Sequence, residues 1–89
     1  MQDIKTEKFK KAVGQVIKDV RQTKTDLSIN QLALEFDFDK SNLSKIERGI
    51  YGIQLITAWK ISEAMGLKFS EFAKLIENKL GKNFKLIDE

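Results

Sequence analysis

Not one proline interrupts the 89 residues, and only five glycines do. Proline ends helices by removing a backbone donor and clashing with the preceding turn, so a chain without it can keep every periodic segment helical. Runs of β-branched residues that would favour strands are few. Helix is therefore the default wherever apolar residues recur at three- and four-residue spacing. Five such stretches fill the chain, and the expected fold class is all-α with five helices.

Phe9, Val13, Val16, Ile17 and Val20 form the apolar stripe of a first helix ending near residue 22. Lys8, Lys10, Lys11, Lys18 and Asp19 lie between them and read as a solvated face. TKTD at 23–26 is a polar break. Ser28 stands three residues before Gln31, the spacing of a capping box, and opens a second helix over 29–36 with Leu32, Ala33 and Phe36 turned inward. Asp39 suits the N-cap of a third helix over 40–48, because its carboxylate can accept the free N–H groups of the first turn. Gly49 suits the end of that helix. IYGI at 50–53 reads as a loop. Helices over 53–65 and 69–80 follow, stopped by Gly66 and Gly81. In the tail, 81–89, the alternation of Phe84, Lys85 and Leu86 fits either a frayed end or a short strand.

This length supports one small core, so residues 1–89 read as a single domain. No stretch approaches the roughly 18 consecutive apolar residues of a membrane span, and MQDIKTEKFKK lacks the apolar block of a secretion signal. The cytoplasm is the expected location. The chain has no Cys and no His, which removes thiolate ligands together with the commonest metal ligand and general base. No metal or other cofactor is expected. Scattered carboxylates and the lack of a Gly-rich phosphate loop argue against an enzyme. The net charge of +3 is uneven: residues 1–26 carry seven positive and four negative charges, and residues 27–52 three and four. This weak basic excess does not by itself distinguish DNA from another acidic partner.

At about 100° per residue, Leu43, Ile46, Glu47 and Ile50 fall on one side of the third helix. Ser41, Ser44, Lys45 and Arg48 fall opposite, with Lys40 at the leading end. Short donors and acceptors flanked by cations can neutralise phosphates and meet base edges in a major groove; a merely solvated face would show the same periodicity. Two capped helices joined by a very short turn, however, make a helix-turn-helix unit, whose second helix is the one that enters the groove.

LSINQLALEFDFDKSNLSKIERG, followed at its spacing by LITAWKISEAMGL, resembles the lambda-repressor-like (Cro/CI, or XRE) DNA-binding family over about residues 9–76. The resemblance rests on Leu27, Ser28, Leu32, Ala33, Phe38, Leu43, Ser44, Ile46, Glu47, Gly49, Ile61, Ala64, Met65 and Gly66. It implies that Lys40, Ser41, Ser44 and Lys45 lie nearest base edges. Asn42 and Arg48 would lie nearer phosphates, with Ser28 and Asn30 serving the backbone at the start of the second helix. It also implies that Arg21 pairs with Glu47, a core-side carboxylate that would be costly to bury alone. Three positions depart from the family pattern: Ile29 where Gln usually grips the DNA backbone, Asp37 where the turn usually has Gly, and Ile53 where the loop before the fourth helix usually has Pro.

The function this implies is a sequence-specific double-stranded DNA-binding transcriptional regulator, a repressor acting as a homodimer on a palindromic operator. Ile56 and Trp59 fall on the far side of the fourth helix with Glu63. Together with Phe84, Leu86 and Ile87 they are the dimer candidates, unless the tail folds back over the helix. Two alternatives are an antitoxin that pairs the same motif with a toxin partner, and an interaction module that has lost DNA binding. Ile29 and the net negative charge of residues 27–52 favour the latter.

Overall fold

A computed structural model of the protein describes residues 4–87. Five helices follow one another: α1 (Ile4–Lys24), α2 (Ile29–Glu35), α3 (Lys40–Glu47), α4 (Leu55–Ala64) and α5 (Phe69–Leu80). α1 packs against α3 and α5, α2 against α3, and α4 against α5. One cluster joins them, built from Val13, Ile17 and Val20 of α1, Leu32 and Ala33 of α2, Leu43 and Ile46 of α3, Ala58 and Ile61 of α4, and Phe72 of α5. No helix among the described residues is long and apolar enough to cross a membrane.

Local chemistry explains where the helices stop and start. At the front of α2, Ser28 Oγ accepts from the Gln31 N–H and Gln31 Oε1 accepts from the Ser28 N–H, at 3.2 and 2.8 Å. Asp39 Oδ1 accepts from the Asn42 N–H at 2.9 Å and fixes the first turn of α3. The four-residue turn between α2 and α3 hinges on Asp37, held at φ 59°. Asp tolerates this left-handed backbone better than most residues with a Cβ, though less well than Gly. α3 ends in a Schellman motif: Gly49 sits at φ 76°, its N–H donates to the Ile46 carbonyl at 3.0 Å, and the Ile50 N–H donates to the Lys45 carbonyl at 2.9 Å.

Several side chains lie elsewhere than the periodicity predicts. α3 stops at Glu47 and Gly49 turns the chain away, so Ile50 leaves the apolar side and is 49% exposed. Phe36 caps the end of α2 and is 40% exposed instead of facing inward. α1 runs on to Lys24, past the expected end near residue 22, while α4 starts at Leu55, because Gln54 is still extended. The tail forms no strand among the described residues; residues 88 and 89 lie outside them. Phe84 instead stacks on Phe9, with ring centroids 6.4 Å apart, and Lys8 Nζ stands 5.7 Å from its centroid. The tail is thereby committed to α1. The outer face of α4 stays open, and Trp59 stacks on Phe69 at 5.2 Å while its Nε1–H donates to Glu63.

Candidate nucleic-acid interface

Three contacts fix α3 against α1. Gly14 lets the backbones meet: a Cβ at that position would stand 2.6 Å from the Ile46 carbonyl oxygen and would also strike that of Glu47. Gly49 lies against Lys11, where a Cβ would be 2.8 Å from Lys11 Cγ. Arg21 and Glu47 form a forked pair, Nε to Oε2 at 2.8 Å and an Nη to Oε1 at 3.1 Å, with the other Nη donating to the Leu27 carbonyl at 3.1 Å. Their side chains are only 11% and 4% exposed. Hydrogen bonding to Glu47 raises the Arg21 pKa above its ordinary value, against the opposing effect of burial. The pair ties the end of α1 to the end of α3 and to the chain just before α2.

With Leu43, Ile46 and the Glu47 carboxylate inward, α3 presents its remaining side chains outward. Lys40, Ser41, Asn42 and Arg48 are exposed, and Ser44 and Lys45 are half-buried. Ser44 and Arg48 border a groove toward α1 that also holds Lys11, Gln15 and Lys18. On the opposite flank, Asn42 shares a depression with Asp37, Asp39, Tyr51, Gln54 and Lys60. Lys45 leans toward the loop after α3, where Nζ donates to Tyr51 Oη at 3.2 Å. Arg48 Nε reaches back to the Ser44 carbonyl at 3.4 Å. Asn30 is exposed on the first turn of α2, Ser28 is engaged in its capping box, and Ile29 is half-buried against the core.

Cations and hydroxyls on a short, rigidly seated helix are suited to a polyanion with readable edges. The helix-turn-helix family model (HTH_3) matches residues 17–72, the end of α1 through the first turn of α5. The chain belongs to the helix-turn-helix family. As a member of it, the protein is a DNA-binding transcription regulator. Among its relatives is the control protein C.MunI of a Mycoplasma species, 38% identical over 64 residues that cover 72% of this chain and 86% of that one. The control protein C.BamHI of Bacillus amyloliquefaciens is 36% identical over 55 residues, covering 62% and 68%. An HTH_3 family transcriptional regulator from Vibrio cholerae superposes with a TM-score of 0.72 at 27% identity, covering 86% of this chain and 43% of that chain. The clp gene regulator ClgR from C. glutamicum, at 18% identity, shares the fold with a TM-score of 0.72 over 82% of this chain and 92% of its own.

Two features of this helix-turn-helix surface are missing from a reading of the helices by periodicity. Gly14 is one; a glycine inside an otherwise regular amphipathic helix is a signal of close approach. Tyr51 is the other, and nothing in its local sequence marks it, because its contact with Lys45 depends on the turn made at Gly49.

Proposed function

We propose that this regulator is a repressor that binds a palindromic operator as a homodimer, inserting one α3 into each of two major grooves. Lys40, Ser41, Ser44 and Lys45 meet base edges, while Ser28, Asn30, Asn42 and Arg48 hold phosphates. The observation that carries this reading is the seating of α3. Capped by Asp39 and held to α1 through Glu47 and Arg21, it offers its cations and hydroxyls from a rigid base. A positioned side chain makes a better base contact than a mobile one, because less of the contact energy is lost to ordering it.

The dimer reading draws on α4. Ile56 is 65% exposed and Trp59 53%, with Leu55 beside them at 69%. Apolar groups gathered on one helix commonly mark an interface, and a two-fold pair places recognition helices about one DNA turn apart. Phe84, packed on Phe9, and Leu86 are the less favoured contacts. The protein works in the cytoplasm without a cofactor and performs no catalysis; its chemistry is confined to hydrogen bonds, charge and packing. Selection of bound sequences from a random duplex library tests the reading. A two-fold symmetric consensus is expected, and failure to enrich any sequence at low salt would overturn it.

A further inference from the structure

We propose that Tyr51 is a positioning residue for sequence reading: its hydroxyl holds the Lys45 ammonium in the direction from which Lys45 reads a base. This rests on the reading of α3 as the helix that enters the groove. The Schellman turn carries the geometry. The N–H groups of Ile50 and Tyr51 both point at the Lys45 carbonyl, at 2.9 and 3.4 Å, so the turn that ends α3 brings Tyr51 back beside Lys45. Lys45 Nζ then donates to Tyr51 Oη at 3.2 Å while standing 5.0 Å from the ring centroid, so the oxygen at the ring's rim, more than its face, holds the ammonium. Gly49 seats this loop directly on Lys11 of α1, so the tyrosine rises from a fixed base.

The chemical consequence concerns conformational freedom. A lysine is a point charge on four flexible bonds, and its unaided contact with a base loses much of its energy to ordering that chain. Of the ammonium's three donors, one is taken by Tyr51 and two remain to bridge guanine O6 and N7. Tyr51 is itself 43% exposed on the same side of the molecule, so the pair is accessible to a duplex. The base preference attributed to Lys45 thus belongs to Lys45 and Tyr51 together.

The test uses library selection with the full chain and three variants, Tyr51→Phe, Lys45→Ala and the double variant, with thermal unfolding as the check on folding. Tyr51→Phe keeps the ring and deletes only the acceptor. It is expected to reduce discrimination by roughly three- to tenfold at the base position altered by Lys45→Ala, and to add nothing further in the Lys45→Ala background. A change at a different base position, or one that persists without Lys45, would make Tyr51 a direct base contact and overturn the proposal. Uniform weakening of all sequences with a flatter salt slope would make it a phosphate contact and overturn the proposal equally. NMR relaxation of the Lys45 side chain in the free protein separates this inference from the reading of α3. Greater mobility in Tyr51→Phe is expected whether or not any DNA sequence is enriched; equal mobility in the two proteins overturns the positioning role.

Discussion

Arg21 and Glu47 show what a single buried contact does here. Each is shielded from water and each satisfies the other, so deleting one leaves a charge with no partner in a place that water barely reaches. Arg21→Gln is expected to lower stability by about 3 kcal/mol, the scale of a broken buried pair, as read from the midpoint of urea unfolding. Its pH dependence has a definite sign. Because folding raises the Arg21 pKa above its ordinary value, its contribution is fully present below that ordinary value and is lost only as pH rises past the folded pKa. On the Arg21 side, the stability gap between wild type and Arg21→Gln should therefore stay level over about pH 6 to 10. Gly14 acts through its lack of a side chain. A methyl there meets two carbonyl oxygens of α3 rather than the yielding end of a side chain, so Gly14→Ala should cost about 2 kcal/mol despite alanine's better helix propensity. Asp37 is the opposite case: its φ of 59° is available to glycine without strain, and Asp37→Gly should raise stability by about 0.5 to 1 kcal/mol.

The helices themselves are largely legible in the sequence, because the signals that start and stop them are local. Ser28 with Gln31, Asp39, Gly49 and Gly66 are each read within a few residues of where they act, and the five helices stand in the expected order, with α1 ending two residues later and α4 starting two residues later than the sequence reading puts them. What is illegible depends on chain direction beyond a helix end. Ile50 belongs to the apolar side of α3 only if the helix continues, and Gly49 turns it away; the same turn brings Tyr51 to Lys45. The tail could have paired as a strand, but Phe9, far off in sequence, offers Phe84 a ring to stack on. On α3, the division of labour makes a prediction at the scale of the whole helix. In the proposed reading Lys45, held beside Tyr51, meets a base, whereas Arg48, at the trailing end beside Lys11 and Lys18, meets a phosphate. Lys45→Ala should relax base preference at one position of each half-site, losing about 1 to 3 kcal/mol of discrimination there. Arg48→Ala should weaken specific and random duplex alike and lower the salt slope by about one phosphate's share. Binding titrations at several salt concentrations separate the two.

For the whole molecule, the weak net charge and the open face of α4 bear on the same question of how enough binding energy is assembled. Residues 27–52, which hold both motif helices, carry three positive and four negative charges, and Ile29 occupies a place where a polar grip on the DNA backbone is usual in the family that the sequence resembles. A single copy therefore has few phosphate contacts to offer, and weak non-specific attraction leaves affinity to come from joining two half-sites. Pairing through Ile56 and its neighbours would supply that, because two α3 helices held in register make the second half-site contact intramolecular. Ile56 is the position to test, since Trp59 is already committed to Phe69 and Glu63. Ile56→Lys places a charge on an exposed site of α4 and should change the stability of the folded chain by no more than about 0.5 kcal/mol. In sedimentation at high micromolar concentration the wild type should run as a dimer and Ile56→Lys as a monomer. On a two-half-site duplex the variant should lose at least about 100-fold in affinity, while on a single half-site the two proteins should bind equally. A wild type that remains monomeric at that concentration, both free and with DNA, would exclude the dimer and with it this account of how so weakly charged a regulator holds its operator.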